Sequence, residues 1–182
     1  MTVIAAATDG EVAAIGSDSH GTIVGWLTSD YGPKVIHVFD KVAIGFSGSY
    51  TVERWIRRYF GPAMRKRERL WETDPDAFHE AVEDAWDGWR AWSADRGEWN
   101  TAKECDCIVA APGIILKLES NGGVLRPGEP YSAIGTGTAV AVGAMAVLPD
   151  VPPMDAVSLA VSAAIRHATG CGGDPHVIEV TR

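Results

Sequence analysis

The first fifty residues contain two pairs of apolar runs separated by short turn signals, a pattern that predicts two β-hairpins. Asp9-Gly10, between the first two runs, is a pair typical of the two-residue type I′ turn. If the turn consists of those two residues, the antiparallel register places Thr2 opposite Ser17. Asp18 then lies beside the amino end of the chain.

The second hairpin is predicted around Asp40-Lys41, where the turn signal is weaker because neither residue is glycine. A two-residue turn there places Lys34 opposite Ser47, next to Gly48. The two hairpins therefore bring polar or small residues to neighbouring strand ends. The four residues gathered in this way are Thr2, Asp18, Lys34 and Gly48.

Helical and strand patterns follow in a definite order along the rest of the chain. A helix is predicted over 52–60, and Gly61-Pro62 is expected to interrupt or kink it. A second helix begins at Pro75, with Asp74 as its N-cap. The later elements are strands at 106–111, 114–119, 124–125 and 131–134, helices at 138–148 and 153–168, and a strand at 177–180. This order predicts one α+β domain over residues 1–182, with two packed sheets between helix pairs in a four-layer αββα sandwich.

Composition excludes several classes of protein. With 46% hydrophobic and 22% charged residues, the chain has the composition of a folded globular protein and not of a disordered or coiled-coil one. Its sequence has no run of about 18 consecutive apolar residues and no basic, apolar leader, so we expect neither a membrane span nor a signal peptide. The net charge of −8 disfavours nucleic acid as the main partner. We expect a cytoplasmic protein.

The cysteines and the clustered basic residues both have simple interpretations. Cys105, Cys107 and Cys171 are an odd number, which favours reduced thiols over a disulfide framework, and their spacing does not match a metal site. Many basic residues fall between Arg54 and Arg69. A solvated helix face is the simplest interpretation of that stretch, and a docking patch is the functional one.

The residues at the strand ends suit nucleophilic catalysis. Once Met1 is removed, Thr2 carries its hydroxyl next to a free α-amino group, whose pKa of about 7.7 lets it act as a base around neutral pH. A nearby Lys34 would lower the pKa of that hydroxyl, and Asp18 would hold the lysine ammonium charged and in place. Gly48 has no Cβ to block a substrate, so its backbone N–H could face an oxyanion.

Four segments place these residues in recognisable motifs. They are Gly16-Ser17-Asp18-Ser19-His20-Gly21-Thr22, Gly32-Pro33-Lys34-Val35, Ile44-Gly45-Phe46-Ser47-Gly48-Ser49 and Ala133-Ile134-Gly135-Thr136-Gly137. Together they resemble the motifs of the N-terminal-nucleophile hydrolases of the proteasome β-subunit type, a family that includes the bacterial HslV protease. Thr2 matches that family's N-terminal threonine, and its spacing to the other three strand-end residues agrees with the family without a gap. The resemblance covers essentially the whole chain.

The resemblance implies a role for each matching residue. Thr2 would be the nucleophile, with its own amine as the general base. Lys34 and Asp18 would be the activating pair, and Gly48 would be an oxyanion donor. Thr136 would supply a supporting hydroxyl.

The resemblance also implies how substrate and cation are held. Thr22 and Gly48 would bind an extended polypeptide through main-chain hydrogen bonds, as an added strand. Phe46, at the position that lines the family's first pocket, implies an apolar pocket of reduced depth. His167 stands about where proteasome subunits carry an Asp that supports the active site. No cofactor is needed for hydrolysis, but the turn Gly170–Gly173 could hold a structural monovalent cation through main-chain carbonyls.

The implied activity is that of a threonine-type endopeptidase cutting unfolded polypeptide inside a closed chamber. The implied partners are further copies of the chain, in a hexameric or heptameric ring stacked as a double ring, and an ATP-driven ring unfoldase. Two alternatives remain open. One is a catalytically silent scaffold subunit, which retention of Met1 would indicate. The other is an N-terminal-nucleophile amidase acting on a small molecule, which an open monomeric pocket would favour.

Overall fold

The strands of this protein form two antiparallel sheets and one short ribbon. A computed structural model describes residues 1–23, 26–28, 32–67, 69–96 and 105–182. The strands, in chain order, are β1 Val3–Thr8, β2 Ala13–Ser17, β3 Gly21–Ile23, β4 Trp26–Thr28, β5 Val35–Phe39, β6 Val42–Ser47, β7 Asp106–Ala111, β8 Ile114–Leu118, β9 Val124–Leu125, β10 Tyr131–Gly135 and β11 His176–Val180. The first sheet has the order β10-β1-β2-β11 and the second the order β5-β6-β7-β8-β9, while β3 pairs with β4.

The helices cover the outer faces of the two sheets. In chain order they are Thr51–Trp55, the π-helical Ile56–Phe60, Gly61–Arg65, Leu70–Thr73, Pro75–Asp95, Thr138–Ala146 and Pro153–His167. The helix Pro75–Asp95 starts as predicted, because the backbone N–H of Ala77 donates to the Asp74 carboxylate at 3.0 Å. Within the described ranges, no helix combines the length and the apolar character needed to cross a bilayer.

Three hydrophobic clusters fill the spaces between the layers. The middle cluster, between the two sheets, contains Ile4, Ala6, Ala13, Ile15, Val35, Ala43, Ile108, Ala110, Ile115, Ile134, Ile178 and Val180. One outer cluster packs the second sheet against the helices that precede β7, and the other packs the first sheet against the two later helices. Strands covered on both faces need apolar residues on both faces, which explains the unbroken apolar run from Val3 to Ala7 in β1. The predicted α+β four-layer architecture is confirmed.

The turn of the first hairpin differs from the prediction. Thr2 was expected opposite Ser17, but Ser17 pairs with Ile4. The Asp9 carboxylate accepts the backbone N–H of Val12 at 2.7 Å, and this side-chain bond closes a longer turn than two residues. Because the register moves by two positions, every side chain stays on its predicted face of the sheet.

The register of the second hairpin also differs. Lys34 was expected opposite Ser47, but its carbonyl accepts the backbone N–H of Phe46 at 3.1 Å. The cause is a bulge between His37 and Phe39, which inserts an extra residue into β5. The apolar pattern carries no mark of such a bulge, so the turn alone could not predict the pairing at the far end of the strands.

Two further elements differ from the predicted order. The ribbon of β3 and β4 adds two strands before the first helix, where the sequence predicted four strands in all. Gly61-Pro62 does not interrupt the helix, which continues to Arg65. Proline is tolerated there because the preceding Ile56–Phe60 segment is π-helical, and its wider turns shift the backbone hydrogen bonds that a proline would otherwise break.

The two sheets pack at Gly45 without room for a side chain, so its replacement tests the sandwich. A Cβ on Gly45 would lie 2.5 Å from Ile4 Cγ2 and 3.2 Å from Ile15 Cδ1, both on the opposite sheet. We therefore expect Gly45→Ala to lower the free energy of unfolding by about 1–3 kcal/mol, measured by urea denaturation. Gly128→Ala is the control, because a Cβ there meets nothing within 4 Å. Equal unfolding midpoints for the two variants would contradict this packing.

Candidate active site

Asp18 is the centre of a buried polar cluster at the ends of β1 and β2. Its side chain is fully buried, and Oδ1 accepts hydrogen bonds from Lys34 Nζ at 2.6 Å, Thr2 Oγ1 at 3.0 Å and the backbone N–H of Val3 at 3.1 Å. Its own backbone N–H donates to the Val3 carbonyl at 3.4 Å. The observed register of the first hairpin therefore holds Asp18 against the start of β1.

Lys34 enters this cluster from the second hairpin. Its backbone N–H donates to Ser17 Oγ at 3.0 Å, which ties the start of β5 to the end of β2. Its side chain is almost fully buried, and the ion pair with Asp18 is shielded from solvent. Burial lowers the pKa of Lys34 below its usual range, and the Asp18 carboxylate acts in the opposite direction. Ser17 is a site residue that sequence reasoning placed only as a strand partner.

Thr136 holds the backbone of Thr2 from the other side. The backbone N–H of Thr2 donates to Thr136 Oγ1 at 3.1 Å, and that hydroxyl donates to the Thr2 carbonyl at 3.2 Å. The same carbonyl accepts the backbone N–H of Gly137 at 3.1 Å. Gly135 has a φ of +86°, and a Cβ there would collide with the Thr2 carbonyl oxygen. Glycine is thus required at 135 by the close approach of Thr2, and at 137 by the close approach of Val3, whose Cβ would lie 2.7 Å from an added Cβ.

A third segment, Gly170 to Gly172, closes the cluster. Met1 lies directly against Gly170, where a Cβ would collide with the methionine side chain. The Cys171 thiol lies 3.8 Å from Thr136 Oγ1. The backbone N–H of Gly172 donates to Asp18 Oδ2 at 3.3 Å. Sequence reasoning missed Cys171 as a site residue, because a single cysteine after a helix carries no spacing signal.

The other predicted site residues have different surroundings. Gly48 follows β6 in an exposed position with a φ of +100°, which suits glycine. Thr22 lies in β3, where it pairs with Leu27. Phe46 is 2% exposed and packs edge-to-face against Tyr50, with ring centres 6.0 Å apart. His167 is exposed at the end of its helix. The substrate-binding roles of these residues stay predictions.

The turn Gly170–Gly173 has limited room for the predicted cation. The Gly172 carbonyl accepts the backbone N–H groups of Ser19 at 3.3 Å and His20 at 3.2 Å, which uses both of its lone pairs. A monovalent cation would therefore need other carbonyls of this turn. The described part of the chain contains no group of three or more His, Cys, Asp or Glu side chains that could hold a metal ion.

Comparison with known proteins identifies the fold. No protein-family model matches the chain, and no curated protein matches its sequence. Its structure is similar to HslV from Trypanosoma brucei, with 21% identity, a TM-score of 0.78 and 100% of both chains covered. It is also similar to Thiobacillus denitrificans BPH, with 18% identity, a TM-score of 0.74 and 100% of this chain and 98% of that chain covered. BPH in complex with epoxomicin matches at 18% identity and a TM-score of 0.74, over 99% of this chain and 98% of that chain. The chain therefore has the HslV and proteasome-like fold.

Proposed function

We propose that this protein is a threonine peptidase whose nucleophile is the Thr2 hydroxyl. The observation that carries the proposal is the meeting of Thr2 Oγ1 and Lys34 Nζ at a single oxygen of the buried Asp18 carboxylate. A buried ion pair is a poor source of stability, since desolvation of both charges offsets their attraction. Placed against the Thr2 hydroxyl, the lysine ammonium of this pair favours the charged form of that hydroxyl, and the carboxylate holds the ammonium in place.

Removal of Met1 would supply the missing base. While Met1 is attached, the Thr2 nitrogen is a peptide amide and has no basic lone pair. Cleavage would leave an amine in the same place, with Thr136 Oγ1 within hydrogen-bond distance. That amine would take the proton of the Thr2 hydroxyl as the oxygen attacks a peptide carbonyl, while Lys34 stabilises the developing negative charge.

The reaction would then proceed through an ester on Thr2. The oxyanion of the tetrahedral intermediate would accept the backbone N–H of Gly48, and the protonated amine would return its proton to the leaving amine. A water molecule, deprotonated by the Thr2 amine, would attack the ester and release the second product. Thr22 and Gly48 would align the substrate by main-chain hydrogen bonds, with Phe46 beneath the first side-chain pocket.

The likeness in fold to HslV supports a wider proposal about assembly. In it, copies of the chain form a hexameric or heptameric ring, stacked as a double ring, and an ATP-driven ring unfoldase delivers unfolded polypeptide. The basic stretch between Arg54 and Arg69 would belong to the docking surface. The three buried free cysteines support a reducing compartment such as the cytoplasm.

The two alternatives make different use of the same residues. A silent scaffold subunit would keep Met1, which shields the Gly170 side of the site. A small-molecule amidase would need an open pocket beside Thr2. The cavity of about 690 Å³ lined by Asp9, Tyr131 and Met145 lies at the opposite end of β1 from Thr2, so it does not favour the amidase.

Covalent labelling tests the proposed nucleophile. We expect epoxomicin to form a stoichiometric adduct on Thr2 in protein that has lost Met1, because an epoxyketone offers one electrophilic carbon to the hydroxyl and another to the amine. Intact mass and peptide mapping would locate the adduct. Thr2→Ala should abolish it, while Thr181→Ala, at an exposed threonine, should label like the wild type. A mature amino terminus that gains no adduct and cleaves no peptide would support the scaffold instead.

A further inference from the structure

Three consecutive residues contact two members of the candidate active site and the methionine that precedes Thr2. Gly170 packs against Met1, Cys171 lies beside Thr136, and Gly172 binds Asp18. The first and third contacts involve glycines and need only the backbone. Cys171 is the one residue of this segment that reaches the site with a side chain.

The hydrogen-bonding capacity of the Thr136 hydroxyl defines what Cys171 contributes. A hydroxyl has one proton to donate and two lone pairs that accept. The Thr136 proton goes to the Thr2 carbonyl at 3.2 Å, and one lone pair accepts the Thr2 N–H at 3.1 Å. The second lone pair faces the Cys171 thiol at 3.8 Å. Because the only proton of the hydroxyl is already used, the thiol is the donor in that contact.

The surroundings of Cys171 keep its thiol protonated, so that it can act as a donor. Burial raises the pKa of the Cys171 thiol, and the Asp18 carboxylate raises it further, so the sulfur keeps its proton at neutral pH. Gly137 makes room for the sulfur, since a Cβ there would lie 3.0 Å from Cys171 Sγ. The distance of 3.8 Å suits a hydrogen bond that includes sulfur and would be too long for one between two oxygens.

We infer that Cys171 is a positioning residue, which fixes the Thr136 hydroxyl so that this hydroxyl orients the nitrogen of Thr2. The inference rests on the proposed function, because the nitrogen it orients is the proposed general base. With the hydrogen bond from the thiol in place, the proton and both lone pairs of the Thr136 hydroxyl are used, which holds the hydroxyl in one orientation. Without it, the oxygen becomes a stronger acceptor for the protonated amine, which favours the charged form and raises the pKa of the base.

A double-mutant cycle with Thr136 tests this role. We expect Cys171→Ala to slow adduct formation by epoxomicin roughly threefold to fivefold, the factor that one hydrogen bond accounts for. The acid limb of the pH–rate profile should move to higher pH. In a Thr136→Val background the same change should have almost no effect on rate, because the hydroxyl through which Cys171 acts is absent. Cys107→Ala, at a buried cysteine of the outer core, is the control and should leave the pH profile unchanged.

Each outcome separates this inference from the proposed function. A wild-type protein that reacts, combined with an equal effect of Cys171→Ala in both backgrounds, would show that Cys171 only fills space and would overturn the inference alone. A wild-type protein with no reactive Thr2 would overturn the proposed function and the inference with it. If Cys171→Ala does not fold, Cys171→Ser can be used for the same test. Its C–O bond is shorter than the C–S bond, so the donor atom lies farther from Thr136 Oγ1, with little change in side-chain volume.

Discussion

Lys34→Met is expected to lower the rate of epoxomicin adduct formation and of peptide hydrolysis by about 10²–10³. The variant keeps an unbranched side chain of similar length but removes the cation that meets Thr2 Oγ1 at the Asp18 oxygen. The hydroxyl then faces a buried carboxylate with no cation beside it, and this disfavours its deprotonation. We also expect the free energy of unfolding to fall by about 3–5 kcal/mol, because Asp18 is left as an uncompensated buried charge.

Rates and stability must be measured on the same samples for this prediction. Lys66→Met, at an exposed lysine, is the matched control and should change neither quantity appreciably. Adduct rates are compared at a temperature where circular dichroism shows that both variants are folded. A Lys34→Met protein that labels at the wild-type rate would mean that Lys34 has no part in activating Thr2.

The cluster at the strand ends was predictable from the sequence, although the registers that form it were not. Turn signals and alternation correctly indicated which strand ends meet, so that Thr2, Asp18 and Lys34 were expected together. The Asp9 side chain lengthened one turn, and a bulge in β5 shifted the other pairing. Both causes are local features of hydrogen bonding, which the hydrophobic pattern of a sequence does not indicate.

The part of the site that comes from the distant half of the chain was harder to derive. Thr136 was placed beside Thr2 only by resemblance, and Cys171 was not placed there at all. Thr136 is 134 positions from Thr2, and Cys171 is 35 positions from Thr136. These contacts form through the pairing of β10 with β1 and at the end of a helix. Short motifs predict local structure, whereas such contacts depend on how the layers pack, which periodicity alone leaves open.

The neutral double variant Lys34→Met with Asp18→Asn is expected to recover most of the stability that Lys34→Met loses, and none of the activity. The asparagine side chain would retain an oxygen for the Val3 N–H, which now donates to Asp18 Oδ1 at 3.1 Å. It would remove the unpaired negative charge that makes the single variant unstable. Asp18→Asn alone should destabilise less than Lys34→Met, because burial already lowers the pKa of Lys34 and the lysine can release its proton.

Urea unfolding of the wild type, both single variants and the double variant gives the coupling between the two charges. We expect the double variant to unfold at a higher urea concentration than Lys34→Met, although it carries one more substitution. If it is instead less stable by the sum of the two single losses, the two side chains do not act as a pair. Recovered stability together with absent labelling would mean that a neutral pair can support this fold equally well. The buried charges are then explained by the chemistry at Thr2, since folding does not require them.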